Sequence, residues 1–547
     1  MVRITDSNVQ DFEKKHIAAV RDMAAECAVL LKSNGDFPLA SAGKIALFGN
    51  GARNTIKGGT GSGDVNVRHF VSVEEGLENA GFEITSKAWL DTYTSMLAEE
   101  KAKFLQGLKA EAKAAGVNAI WYCMGKVMAE PAYNIPLEGE AETAVYVLAR
   151  NSGEGADRTP VAGDINLTET EQRDILALNE KYDKFILVLN VGGMVDLSPV
   201  SAVKNILLLS QLGTPTGDVL ADILLGKSYP SGKLTTTWAP IASYPSTEGF
   251  GDPNDTYYKE GIYVGYRYYA TAGVRPRLPF GYGLSYTTFA YSDLQVTAEG
   301  ARFTVENTGE RPGAEIAQLY VSLPGAEVFR PALELKGFAK VFLQPGERET
   351  LTIPFDDKTF RYWNAVTGRW EVEGGDYGIA IGASSEDIRL RASLRVEGTS
   401  APQPYAGASL PSYQSGRIAA VPDDEFRQLL GRPIPDGRWQ GELSLNDPLS
   451  RLREGRSRLC RLVFGVIEKK KAQSEARGKP DLNILFIYNI PFRAIAKMTN
   501  GMVSMGMVDG LVWELKGFWL VGILRVIYEF VKNLILNSQM ENRLKNS

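Results

Sequence analysis

Glu154 stands in a stretch, LARNSGEGADR (148–158), whose residue types can do proton chemistry. The preceding AVYVLA (144–149) reads as a buried strand, so the acid sits on a loop just past a strand end. A carboxyl there, beside a ligand crevice, serves as a general acid if its surroundings raise its pKa toward the working pH. Gly153 and Gly155 on either side give the backbone freedom and leave room for a bulky ligand. Asp157 and Arg158 follow, as supports for the loop, with Arg158 also in reach of a ligand. Taken alone, the same residues also describe a solvated turn with a surface Asp157–Arg158 pair, which is the simpler reading.

A second stretch, FGNGARNTIKGGTGSGDVNVR (48–68), puts glycines after another strand. Bare backbone N–H groups and a helix start can cradle phosphate. The detailed patterns fail, because GNGARN has no third spaced glycine and GGTGSGDV has no Lys-Ser or Lys-Thr after its last one. Two readings stay open. Either the loop faces a ligand at the strand ends, where open α/β sheets bind, with Lys57, Asp64 and Arg68 as polar contacts, or its glycines only let the backbone turn and approach a neighbour.

The chain of 547 residues is too long for one core and divides into about three or four domains. Its net charge of -5 gives no reason to expect nucleic acid as a partner. Three scattered cysteines indicate neither a disulfide framework nor a zinc site, and two histidines nearly exclude a histidine metal centre or a Ser-His-Asp hydrolase. The first sixteen residues are polar and lack a signal peptide's apolar core, so a cytoplasmic protein is expected.

Several elements must position these residues. Apolar spacing over 8–32 predicts a lead helix within a first segment, 1–40. KIALFG (44–49), AVYVLA, KFILVLNVGG (184–193) and NILLLS (205–210) predict strands; 72–81, 96–115 and 168–182 predict helices between them. Continuous apolar strands alternating with helices imply a mostly parallel sheet covered on both faces, an α/β sandwich over 41–245. A Tyr/Gly/Pro-rich connector (246–290) leads to short alternating strands with regular turn signals over 291–397, an all-β sandwich of immunoglobulin or fibronectin kind. Residues 398–450, rich in Pro, Ser, Gly and Asp, read as a surface linker.

The tail, 451–547, is helical and amphipathic. Its first thirty residues hold ten Lys/Arg against three acids. In ELKGFWLVGILRVIYEFVKNLIL (514–536) the longest uncharged run, GFWLVGIL, is far short of the roughly 20 residues of a membrane span. Arg525, Glu529 and Lys532 share one stripe and leave a broad apolar face. That face is expected to bury against its own protein or a homodimer mate, ahead of a membrane-surface contact.

The ordered set VLLKSNGDFPL (29–39), IALFGNGARNTIKGGTGSGDV (45–65), LARNSGEGADR, LLSQLGTPTGDVLADILLGKSYPSGKLTTTW (208–238), YYKEGIYVGYRYY (257–269) and LPFGYGLSYTTF (278–289) resembles glycoside hydrolase family 3, in its second, α/β-sandwich domain. NTGERPGAEIAQLYVSLP and RPALELKGFAKVFLQPGERETLTI (330–353) resemble the family's fibronectin-like domain. The resemblance spans roughly 25–397. It implies a retaining β-glucosidase-like activity on a β-linked glycoside or oligosaccharide, with Glu154 as acid/base and with no metal and no organic cofactor. The family's nucleophile is an aspartate of a (β/α)8 barrel, in a Ser-Asp-Trp-like motif that this chain lacks. Retaining hydrolysis needs two carboxyl groups about 5–5.5 Å apart, and a barrel takes about 250 residues. Only 150 residues follow position 397, so the barrel is expected to be absent. Three readings result: one half of a split glycosidase docking on a separate barrel; a non-catalytic sugar-binding or assembly module; or an enzyme with a replacement nucleophile.

Overall fold

The apolar runs of the first half become one twisted sheet. In chain order the elements are α1 (Asp11–Ala24), β1 (Val29–Lys32), β2 (Lys44–Phe48), α2 (Val73–Asn79), β3 (Glu83–Ile84), α3 (Lys87–Ala114), β4 (Thr143–Arg150), α4 (Glu169–Lys181), β5 (Lys184–Val191), β6 (Ile206–Leu208) and α5 (Thr216–Leu224). The computed structural model describes residues 8–114, 128–151, 158–245, 256–435, 442–456, 458–475, 482–499 and 501–546. They form two units, one within 1–102, 129–248 and 257–434, the other within 103–128, 249–256 and 435–547.

In the first unit the strand order is β1-β6-β5-β4-β2-β3, parallel throughout except for β1, which runs antiparallel along β6. All eight residues of β4 are buried, and seven of eight in β5, because helices and loops cover both faces. These two strands pair from Thr143↔Lys184 to Arg150↔Val191, so their C-terminal ends finish side by side. Helix α4 begins at a reciprocal cap: Thr168 Oγ accepts from the Glu171 N–H, and the Glu171 carboxylate accepts from the Thr168 N–H.

The lead helix is shorter than its apolar spacing predicts. It stops at Ala24, and Val29–Lys32 is strand β1. Ala28 to Leu31 are all buried, leaving no wet side for an amphipathic helix, while the edge of β6 offers open hydrogen-bonding groups.

After α6 (Tyr266–Ala272) come β7 (Phe289–Thr297), β8 (Gly300–Asn307), β9 (Gly313–Ser322), β10 (Glu334–Leu343), β11 (Arg348–Pro354), β12 (Arg361–Asn364), β13 (Arg369–Val372), β14 (Gly375–Gly382) and β15 (Ile388–Val396). They make a four-stranded antiparallel sheet, β10-β9-β14-β15, and a three-stranded one, β11-β8-β7, which share a core of Phe303, Val305, Leu319, Leu343 and Ile379. The small hairpin β12-β13 completes the sandwich.

Residues 398–434 are not a surface linker. They form α7 (Pro411–Ser415) and α8 (Asp423–Leu430), with Leu410, Tyr413, Ile418, Val421 and Phe426 buried against Tyr263, Tyr268 and Tyr269 of the connector. Tyr413 donates to the Lys259 carbonyl at 2.8 Å, Tyr263 donates back to the Tyr413 carbonyl, and Lys259 pairs with Asp423 at 2.8 Å. Composition points to a linker, but the few apolar residues are spaced to fill one cluster and the tyrosine hydroxyls find carbonyl partners.

The second unit contains α9 (Arg458–Glu475), α10 (Leu482–Asn489), α11 (Ala494–Met498), α12 (Met505–Leu515) and α13 (Trp519–Asn546). A small core of Leu449, Phe464, Tyr488, Phe492, Val508 and Leu515 holds it together. The broad apolar face of α13 is not buried against its own chain but exposed along its length.

Because Phe426 is only 7% exposed in that tyrosine cluster, Phe426→Ala is expected to destabilise the first unit by about 3–5 kcal/mol. Denaturant unfolding checks this; a shift within about 0.5 kcal/mol, as for a surface residue, would return 398–434 to linker status.

Candidate active site at the strand ends

Loops leaving the C-terminal ends of β2, β4, β5 and β6 meet at one edge of the sheet, where open α/β folds hold ligands. The segment leaving β4 carries Glu154. Glu154 and Asp157 lie outside the described residues, but both flanks of the segment are described.

On the near side, Arg150 closes β4 with a side chain that is 5% exposed. Its guanidinium donates to Glu171 Oε2 at 2.6 Å, to the Ala149 carbonyl at 2.9 Å and to the Asp164 carbonyl at 3.1 Å. On the far side, Arg158 pairs with the Asp164 carboxylate and donates to the Met194 carbonyl at 3.2 Å. Asp164 also accepts from the Thr159 N–H at 2.6 Å. Partial burial pushes the Asp164 carboxyl up, but the Thr159 N–H and the Arg158 guanidinium outweigh it and hold the group below its ordinary value. Arg158 therefore fastens the loop, in addition to any contact with a ligand.

The glycine-bearing loop after β2 is pinned as well. Gly49 has a φ of +95°, and a side chain there would run into the backbone of Val147 on β4. Asn50 then extends the sheet, accepting from the Ala149 N–H at 2.7 Å and donating to the Ala149 carbonyl at 3.3 Å. Asn190, fully buried at the end of β5, accepts from the Ile56 N–H at 2.6 Å and donates to the carbonyls of Ile56 and Ser210.

Of the polar contacts expected in this loop, Lys57 and Asp64 come together. The Lys57 ammonium donates to Asp64 at 2.6 Å and to the Val65 carbonyl at 2.9 Å, a brace within the loop. Arg68 is elsewhere and pairs with Glu13 of α1 at 2.8 Å.

A group of side chains not singled out by sequence pattern lies under the same edge. Tyr93 donates to Glu130 at 2.5 Å; Trp89 stacks on Tyr93 with ring centroids 5.2 Å apart, and Tyr133 meets both rings edge-on at 6.0 and 5.3 Å. Burial raises the Glu130 carboxyl, the nearby Glu171 charge adds to that, and the Tyr93 hydroxyl opposes it. Burial likewise raises Asp174, against the pull of Arg173 at 2.7 Å. The Thr-x-x-Glu cap was the one available sequence signal for Glu171; Arg150, Glu130 and Asn190 have none. A cavity of about 230 Å³ opens nearby between Trp238, Leu31, Ile206 and Leu278, with the Asp196–Arg277 pair (3.1 Å) in its lining.

The first unit and its sandwich match known proteins. Residues 28–266 match the glycosyl hydrolase family 3 C-terminal domain, and residues 315–385 a fibronectin type III-like domain. The chain is 35% identical over 403 residues to thermostable beta-glucosidase B of Acetivibrio thermocellus, covering 72% of this chain and 50% of that protein. It is 33% identical over 438 residues to beta-glucosidase A of Butyrivibrio fibrisolvens, covering 69% and 50%. Among solved structures it resembles beta-glucosidase 3B from Thermotoga neapolitana in complex with alpha-D-glucose, at 36% identity and a TM-score of 0.61, over 71% of this chain and 55% of that one. The chain thus spans about half the length of these relatives.

The two perturbed carboxyls carry opposite signs. Glu130's folded pKa is raised, so its contribution favours the fold at low pH and is lost as pH rises through the folded value. Asp164's is lowered, so its contribution is present above the unfolded value of about 3.9 and lost as pH falls. Unfolding midpoints are expected to improve for Glu130→Gln relative to the parent as pH rises from about 4, and the deficit of Asp164→Asn relative to the parent is expected to shrink as pH falls below about 4. Parallel curves for both variants would contradict these assignments.

Proposed function

This chain carries a glycosyl hydrolase family 3 C-terminal domain followed by a fibronectin type III-like domain, and on that basis we propose that it is the acid/base component of a retaining β-glucosidase-like glycoside hydrolase. Glu154 protonates the leaving glycosidic oxygen and then, as a carboxylate, activates water. The substrate is a β-glucoside or a similar β-linked sugar. The nucleophile is an aspartate of a (β/α)8 barrel. Among the described residues there is no closed eight-stranded parallel sheet, so in this reading the barrel, a separate subunit or a further domain, docks against the strand ends.

What carries the reading is the treatment of the segment around Glu154. It leaves a central strand at the ligand-binding edge of a parallel sheet, and an arginine–carboxylate pair holds each flank, Arg150–Glu171 and Arg158–Asp164. A solvated surface turn needs no such anchors. Lys57 and Asp64 line the approach as a paired brace, Arg158 borders the site beside Asp157, and Arg68 contributes through its hold on α1. A cytoplasmic setting belongs to the same proposal; no described helix is long and apolar enough to cross a membrane.

The test is hydrolysis of aryl β-glycosides by the full chain, alone and with a family barrel bearing the aspartate nucleophile. Glu154→Gln is expected to lower kcat/KM for substrates with poor leaving groups by roughly 10²–10⁴-fold and for strongly activated aryl glycosides far less, their turnover then being limited by hydrolysis of the glycosyl-enzyme. Activity unchanged by the substitution for every leaving group would remove Glu154 from its role. Glycoside binding with no turnover under any pairing would favour the non-catalytic sugar-binding module.

A further inference from the structure

Helix α13 is packed with its polar side inward. Arg525 pairs with Asp509 of α12 at 2.8 Å. Asn533 and Asn537 donate to the Gly501 carbonyl at 2.7 and 2.9 Å. Glu529 lies over Gly506, and Lys532 reaches it at 3.5 Å. Between the helices the backbones approach at Gly510 and Gly522, where a side chain on either would meet the other's carbonyl. Gly506 and Gly510 form a Gly-x-x-x-Gly seam, a packing device common between helices in apolar surroundings.

The outward side is the reverse of a soluble helix. At about 100° per residue, Trp519, Phe530, Ile523, Leu534, Ile527 and Val531 follow one another around α13, and the exposed apolar arc runs on through Tyr528 to about 200°. No charged side chain falls within it from 519 to 535. Trp519 is 62% exposed and Tyr528 65%. A single partner helix covers a narrower seam than this, whereas a cylinder lying half-immersed in an interface wets half its circumference.

The unit is also basic. Exposed Arg453, Arg456, Arg461, Lys469 and Lys470 belong to this unit, and Arg456 packs beneath the Gly517 turn that leads into α13. Aromatic rings gather at that end, with Trp513 and Phe518 in edge contact at 5.5 Å beside Trp519. No described helix is long and apolar enough to cross a membrane.

We propose that the 435–547 unit is a membrane-surface anchor, with α13 lying in the interfacial plane of an anionic lipid leaflet, its apolar arc down and the basic residues against the headgroups. The α12 seam holds the polar side of α13 away from the lipid.

The test uses the full chain and vesicles of phosphatidylcholine with or without phosphatidylglycerol, read by flotation, with sedimentation in the absence of lipid. The chain is expected to float with the phosphatidylglycerol vesicles, to be released by raised salt, and to lose roughly fivefold in affinity for each basic residue neutralised in Arg461→Gln and Lys470→Gln. Ile527→Asp with Leu534→Asp is expected to weaken binding roughly a hundredfold or more, with helical content checked by circular dichroism. Equal flotation with both vesicles overturns the anionic assignment. A parent chain that ignores both overturns the anchor, and a lipid-free dimer dissociated by the double substitution then identifies a second copy as the occupant.

Discussion

The ion pair between Arg150 and Glu171 joins three pieces of the first unit that would otherwise end independently. Arg150 closes β4, Glu171 sits in the first turn of α4, and the same guanidinium reaches the Asp164 carbonyl on the returning loop. The two side chains are 5% and 2% exposed. Burying both charges costs several kcal/mol apiece before their attraction is counted, so the pair is a poor way to gain stability. Its value is geometric. Removing either member would strand a charge in the interior at a cost of about 3–5 kcal/mol, which fixes the strand end, the helix start and the loop return as one object.

That object creates a distinctive electrostatic setting. The described edge carries Glu130, Asp164, Glu171 and Asp174 against Arg150, Arg158 and Arg173. Within it, burial has already raised Glu130 and Asp174. A further carboxyl brought here meets low dielectric, which disfavours its ionised form. A general acid on the β4 loop needs such a setting, and the arginines do not cancel it, because each is committed to a carboxylate at hydrogen-bonding distance.

What the sequence discloses follows from where the information is local. The strands β2, β4 and β5 are legible because each is a continuous apolar run between turn signals, and α4 because its period is clear. The sandwich is legible from alternation. Strand β1 is not, since VLLK continues the apolar spacing of α1 and only the open edge of β6, nearly two hundred residues away, makes it a strand. Residues 410–430 fail for a related reason: Tyr413 and Phe426 acquire meaning only against Tyr263 and Tyr257. In the site, Lys57 and Asp64 are seven residues apart, and their pairing is a local matter. Arg68's partner, Glu13, is not foreseeable without the fold. Arg150 shows the same limit, because a charge after an apolar strand looks like a strand terminator until Glu171 is beside it.

The tail carries this limit to its clearest case. A helical wheel of α13 separates Arg525, Glu529 and Lys532 from the apolar residues and leaves the direction of each side open. Convention turns the apolar side inward, because water penalises exposed apolar area by about 25 cal/mol per Å². The direction reverses when a neighbouring helix supplies polar partners and allows close approach. Helix α12 does both, with Asp509 facing Arg525, the Gly501 carbonyl just ahead of it, and glycines where the backbones touch. Once those contacts form, turning α13 over would leave Arg525 and the two asparagines without them and press bulky side chains into a seam sized for glycine. The polar contacts thus fix the orientation, and the exposed apolar arc is their consequence.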